Sequence, residues 1–215
     1  MIKAVIFDFD GVIADTMGDN CCAWQYAFFQ HGVQIEANEY YMLEGMGRFQ
    51  IADYFINKYK LNSEIKNKVA EAKELYYKNN NTFKIYDGIS QIFKLLKQKN
   101  ILTAIVTGAS SERIGEHLEE NLKNQISALI TADDVIHTKP HAEPYLKAVS
   151  KLNLKSENCL VIENAVLGIH SAKAAGCLCF ALETTLKKAD LKEANEIFAT
   201  HKDLLIKFET LFYSY

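Results

Sequence analysis

The chain has 215 residues, 49% of them hydrophobic and 24% charged, a globular balance with enough length to bury a core in one or two domains. Its formal net charge of −3 leaves no basic field for nucleic acid or an anionic lipid surface, so neither is expected as a partner. Cys21, Cys22, Cys159, Cys177 and Cys179 match no zinc or disulfide spacing and read as small apolar residues of a reducing, cytoplasmic compartment, while Asp8 leaves no room for a signal peptide or spanning helix at this end.

The first element is the run Ala4 to Phe7, short, β-branched or aromatic and unbroken by polar residues, as in a strand buried on both faces. Asp8, Phe9, Asp10 and Gly11 follow it. Side chains alternate along a strand, so the two aspartates point the same way, and two adjacent anions call for a cation or a shared proton. Gly11 lets the backbone turn closely past a ligand. The pattern then becomes helical. Trp24, Ala27, Phe28 and His31 lie at helical spacing with Gly32 as a stop; Ile51, Phe55 and Tyr59 follow; Asn62 is placed to cap a helix carrying Ile65, Val69, Ala72 and Tyr76. Residues 15–81 thus read as all-helical, and Lys78-Asn79-Asn80-Asn81 as a linker.

Beyond it helices and strands alternate. A helix over Ile89, Ile92, Phe93 and Leu96 leads to a strand from Ile101 to Val106. Ser110 caps a helix with Ile114, and Ala128 to Ile130 is a short strand. Pro144 opens another helix, Cys159 to Ile162 is a strand, Ile169 to Ala175 is helical, and Cys177 to Leu182 is again a strand. This alternation predicts a doubly wound parallel sheet of the α/β class, formed by residues 1–14 and 82–215, with the helical segment 15–81 inserted after the first strand and hanging over the active-site edge.

Polar residues terminate successive strands: Asp8 and Asp10, then Thr107, then Lys139 after a short loop, then Glu163 and Asn164. In a parallel sheet these ends share one edge. Taken singly, Thr107 reads as a strand-end cap, Lys139 as a solvated lysine and Glu163 as a surface carboxylate. Together they supply carboxylates for a metal, a hydroxyl, and a lysine for an anion, a set suited to phosphoryl transfer.

Four segments carry a resemblance: Asp8-Phe9-Asp10-Gly11-Val12-Ile13-Ala14-Asp15-Thr16; Val106-Thr107-Gly108-Ala109-Ser110; Lys139-Pro140 with Glu143, Pro144 and Tyr145; and Val161-Ile162-Glu163-Asn164-Ala165 with Gly168 and Gly176. In this order and spacing the chain resembles the haloacid dehalogenase superfamily, in its β-phosphoglucomutase-like phosphatase branch with a helical cap. The resemblance implies Asp8 as nucleophile and Asp10 as general acid and base. Thr107, Gly108, Lys139 and Thr16 would serve the phosphate site, and Mg²⁺ would be held by Asp8, Asp10, Glu163 and Asn164. The partner implied is a small phosphorylated metabolite, a sugar phosphate by preference, and the oligomeric state a monomer or weak dimer. In the cap, Gly45 and Arg48 resemble substrate-facing positions. A guanidinium fork at Arg48 suits a second phosphate.

Three departures stand out. Glu163-Asn164 replaces the usual Glu-Asp, and an amide oxygen ligates Mg²⁺ without adding charge. Asn20 and Glu44 stand where the mutase has a histidine and a lysine, which favours a phosphatase over a sugar phosphate mutase. Ala142 replaces a usual proline, and the neighbouring His141 reads as loop surface. A catalytically weak phosphometabolite-binding protein is the remaining alternative.

Overall fold

A computed structural model describes residues 1–118 and 120–213. Six parallel strands form one sheet: β1 (Ala4–Phe7), β2 (Leu102–Val106), β3 (Ala128–Ile130), β4 (Cys159–Glu163), β5 (Leu178–Leu182) and β6 (Glu196–Phe198), in the order β3-β2-β1-β4-β5-β6. Ala4 pairs with Leu102 on one side and Cys159 on the other, and Phe7 with Ile105 and Ile162. This register levels the carboxyl ends of the three central strands. The strand order also reverses there, which opens a crevice at that edge.

Alternation along β1 sends Val5 and Phe7 to one face and Ala4 and Ile6 to the other, and all four are fully buried. The first face is covered by α5 (Ile89–Gln98), α6 (Ser111–His117) and α10 (His201–Leu211), the second by α8 (Glu143–Lys151) and α9 (Val166–Ala174). The short α7 (Glu120–Lys123) precedes β3. Ser110 accepts from the Arg113 amide and Pro144 occupies the first turn of α8, as the sequence predicts.

The inserted helices are α1 (Met17–Phe29), α2 (Ala37–Tyr41), α3 (Arg48–Lys58) and α4 (Lys66–Asn80). They close around their own core of Trp24, Phe28, Ile51, Phe55 and Val69. Asn62 does cap, but it caps the single turn Ser63–Ile65 that precedes α4. The stretch 78–81 is not a linker throughout. Asn80 and Asn81 donate side-chain amides to the carbonyls of Tyr76 and Tyr77, which carries α4 to Asn80 and leaves the crossing to start at Asn81. His31 lies beyond α1, in the turn that Gly32 closes at φ 73°. Strand β6 is only three residues long and escapes sequence reading; α10 follows it with Leu204 and Phe208 one turn apart in the core. The cysteines are free, four of them buried and Cys22 exposed. Among the described residues no helix is long and apolar enough to cross a membrane.

Where the insert meets the sheet, the two chain crossings run side by side. Ala14 pairs with Ile85, the Asp15 amide donates to the Lys84 carbonyl at 2.8 Å, and the Tyr86 amide donates to the Ile13 carbonyl at 3.0 Å. This double strap begins at Ile13, three residues after Asp10.

Candidate active site

After Phe7 the chain folds back within seven residues: the amides of Ile13 and Ala14 both donate to the Phe9 carbonyl at 2.9 Å, and that of Gly11 to the Ala14 carbonyl at 2.7 Å. Gly11 sits at φ 80°, and a Cβ there would lie 2.0 Å from Asn164 Nδ2, so glycine is required on both counts. The turn leaves Asp8 and Asp10 on the sheet edge, lining a cavity of about 310 Å³ between the strand ends and the helical insert. Gly45, Arg48 and Gly108 line the same cavity.

Beneath the cavity floor lies a buried charge cluster. Lys139 Nζ is 2.5 Å from Asp8 Oδ1 and 2.6 Å from Glu163 Oε1, and Lys139, Asp8 and Glu163 are 2%, 5% and 0% exposed. Tyr145 donates its hydroxyl to Glu163 Oε1 at 2.6 Å. Glu163 Oε2 accepts the amides of Asn164 and Ala165 at 3.0 and 3.3 Å. The solvated lysine and the surface carboxylate that these residues would be singly are therefore not what the fold makes of them. A Cβ at Gly168 would fall 1.9 Å from Glu163 Oε1, so α9 approaches the carboxylate as closely as a glycine permits. Burial raises Asp8 from the usual carboxylate range to about 7; the Lys139 ammonium opposes that rise and Glu163 adds to it. Burial pulls Lys139 down, but the two carboxylates outweigh it and hold the ammonium above the ordinary lysine range.

Asp10 is held differently. Its Oδ1 accepts from Thr16 Oγ1 at 2.6 Å and from Asn20 Nδ2 at 3.3 Å, and its Oδ2 is paired with the Arg113 guanidinium. Arg113 Nη1 also donates to Asn20 Oδ1 at 3.0 Å, and Lys73 Nζ reaches the same oxygen at 2.9 Å. Lys73 is 3% exposed; burial lowers it to about 8, with the nearby Arg113 charge adding to the effect. Thr107 lies at the end of β2, where its hydroxyl accepts from the Ala109 amide at 3.0 Å. Arg48 opens α3, its guanidinium 4.9 Å from the Phe49 ring centre. A Cβ on Gly45 would lie 3.0 Å from Lys139 Cδ. The residues singled out from the sequence thus gather at the carboxyl edge of the sheet and on the part of the insert that faces it.

Sequence reasoning missed Arg113, Lys73 and Tyr145 as site residues, although each left a signal. Arg113 occupies the third position of α6, where a helix N-terminus disfavours a cation. Lys73 falls between Val69 and Tyr77 on the buried stripe of α4. A lysine on an apolar face, or an arginine at the wrong helix end, needs a partner. Tyr145 lies within the third motif, with no role implied for it.

The donor set bears on Mg²⁺. Asn164 Oδ1 and Glu44 Oε1 are buried without a hydrogen-bond partner among the described residues. Glu44 is pushed well above the usual carboxylate range by burial first, and then by the charges of Asp8, Asp10 and Glu163. Orphaned oxygen acceptors among mutually repelling carboxylates suit a hard divalent cation. Among the described residues no three carboxylate, imidazole or thiol groups already form a ligand cage. One oxygen each of Asp8 and Glu163 is taken by Lys139, and the orphaned amide of Asn164 is a ligand of another type.

The family model for haloacid dehalogenase-like hydrolases matches residues 5–182. The validoxylamine A 7'-phosphate phosphatase of Streptomyces hygroscopicus is 29% identical over 207 residues, 95% of each chain. The fructose-1-phosphate phosphatase YqaB of Escherichia coli is 28% identical over 177 residues, 80% of this chain and 92% of that one. The crystal structure of β-phosphoglucomutase from Clostridium difficile superposes with a TM-score of 0.83 at 28% identity, covering 99% and 97% of the two chains. The chain belongs to the haloacid dehalogenase-like hydrolase family, in its β-phosphoglucomutase-like phosphatase branch.

Proposed function

We propose that the chain is a Mg²⁺-dependent phosphomonoester hydrolase that acts on a small phosphorylated metabolite, a sugar phosphate, through an aspartyl-phosphate on Asp8. The observation that carries this reading is the convergence of Asp8, Lys139 and Glu163 in one buried cluster beside Asp10, at the floor of a cavity of about 310 Å³. The phosphatases among the relatives support it.

Asp8 attacks phosphorus and forms the aspartyl-phosphate while the ester oxygen leaves with a proton from Asp10. Asp10 then takes a proton from water, whose oxygen attacks the aspartyl-phosphate, releasing phosphate and restoring both carboxyls. Arg113 occupies Asp10 Oδ2, so substrate entry must displace or reorient that guanidinium before Asp10 can reach the ester oxygen. Lys139 and Thr107 would hold the transferring oxygens. Asp8, Asp10, Glu163 and Asn164 would hold the cation, whose contribution is to neutralise charge on the phosphoryl group. Residues 15–81 would act as a lid that excludes bulk water. Mutase activity would require Asp8 to hand its phosphoryl group back to a sugar hydroxyl. Glu44, a carboxyl where the mutase has a lysine, offers no cation to a second phosphorylated pose there.

Turnover of an aryl phosphate with Mg²⁺ is expected, and Asp8→Asn should abolish it. Undiminished turnover in that variant refutes the nucleophile. Isomerisation of a hexose 1-phosphate, stimulated by the bisphosphate, would move the assignment to a mutase. A panel of metabolite phosphates then identifies the substrate.

A further inference from the structure

The two buried side-chain atoms without a partner among the described residues, Glu44 Oε1 and Asn164 Oδ1, belong to residues that bond to one another. Asn164 Nδ2 donates to Glu44 Oε2 at 3.2 Å. Asn164 is fully buried at the end of β4, and Glu44 is 6% exposed in the loop between α2 and α3. One partner comes from the sheet and the other from the helical insert.

An aspartate at position 164 would offer a cation two equivalent oxygens. An amide does not: one end accepts, the other donates, and a half-turn would present N–H groups to the ion. Here the donor end is committed. Besides Glu44 Oε2, Nδ2 reaches Thr185 Oγ1 at 3.1 Å, and Gly11 packs against the same nitrogen. The flipped amide would set its oxygen against the Glu44 carboxylate. The free end is therefore the oxygen, and Glu44 is one of the two groups that keep it so.

We propose that Glu44 is a positioning residue of the cation site, carried by the helical insert. It orients the Asn164 amide so that Oδ1 faces the cation, and its own Oε1 is a further orphaned oxygen acceptor carried by the insert. The proposal rests on the cation reading above. Because the contact crosses from insert to sheet, closure of the insert and cation binding become one linked equilibrium, each strengthening the other.

The test is calorimetric titration of Mg²⁺ into the full chain, with the fluorescence of Trp24, the sole tryptophan and a cavity-lining residue of α1, as a second readout. Glu44→Leu removes the acceptor for the amide, and is expected to weaken Mg²⁺ at least tenfold. Glu44→Gln keeps an acceptor for Nδ2 and should recover part of that loss. Thr185→Val removes the other acceptor and should weaken binding by a few fold, giving a second route should Glu44→Leu fold poorly. In an Asn164→Asp background the effect should reverse, since Glu44 would then face a carboxylate with no donor: Glu44→Leu there is expected to tighten Mg²⁺ binding. Unchanged affinity in Glu44→Leu together with loss in Asn164→Ala overturns the proposal while leaving the cation site intact. Equal weakening by Glu44→Leu in the parent chain and in the Asn164→Asp background also overturns it. Absence of Mg²⁺ binding in the unaltered chain refutes the cation reading itself, and the proposal with it.

Discussion

Lys139→Met removes the one ammonium between two buried carboxylates while keeping much of the side-chain volume. Lys139 Nζ lies 2.5 Å from Asp8 Oδ1 and 2.6 Å from Glu163 Oε1, and the side chain is 2% exposed. Removing one member of a buried ion pair typically costs about 3–5 kcal/mol, because the charge left behind is neither solvated nor paired. For a chain of this size that is a fall in Tm of roughly 6–20 °C. The pH dependence follows from the same cause. Burial has already raised Asp8 to about 7 with Lys139 opposing it, and loss of the lysine moves it higher. A carboxyl raised in the folded state favours folding below its unfolded value, and that contribution is lost as pH rises through the folded value. The deficit of Lys139→Met should therefore be small at pH 5 and large at pH 8. Added Mg²⁺ should restore stability at pH 8, by about 2.7 kcal/mol at a hundredfold excess over Kd. Thermal melts by circular dichroism at the two pH values, with and without Mg²⁺, give the answer. A variant melting within about 2 °C of the parent at pH 8, or equally destabilised at both pH values, would refute the electrostatic account of this cluster.

Lys73→Met should stabilise the fold by up to about 3 kcal/mol at pH 7, since burial lowers Lys73 to about 8 and the charged form opposes folding; the gain should fade between pH 8 and the unfolded value of 10.5 in denaturant titrations. Gly168→Ala should cost about 1–3 kcal/mol, because its Cβ would land 1.9 Å from the buried Glu163 carboxylate. Gly115→Ala, with nothing within 4 Å in α6, should gain about 0.5–1 kcal/mol, and the opposite signs are read by paired denaturant curves. Arg48→Ala should raise KM roughly tenfold for a substrate with a second anionic group, a loss of about 1.4 kcal/mol, while leaving an aryl phosphate unaffected in steady-state assays.

What was readable in the sequence and what was not divide along a physical line. The strands β1 and β4 are continuous apolar runs ending in polar residues, and β2 is broken only by Thr103, so both their existence and the placement of Asp8, Thr107 and Glu163 on one edge followed from local pattern plus the parallel-sheet rule. The three-residue β6 has no such run and exists because β5 offers it an edge. The reach of α4 through Asn80 depends on side-chain amides bonding backwards to carbonyls, which composition alone renders as a polar linker. The Arg113–Asp10 pair joins residues 103 positions apart, and no periodicity carries such a contact. Glu44 was visible as a departure from the mutase pattern, but its bond to Asn164 spans 120 positions and emerges only when the insert lies on the sheet.

The position of β1 in the sheet also bears on how the chain is assembled. The strand that bears Asp8 is made first, yet one of its flanks is filled by residues 102–106 and the other by 159–163. During synthesis the flank that residues 159–163 will fill stays bare until residue 163 has left the ribosome, an aggregation hazard for a growing chain. The intervening helices, whose core is built from residues 17–69, can meanwhile condense among themselves. Central placement of the strand before Asp8 thus ties the geometry of that carboxylate to the slowest, most non-local pairings of the molecule, and mutations in distant β4 should show up as poor expression before they show up as poor chemistry.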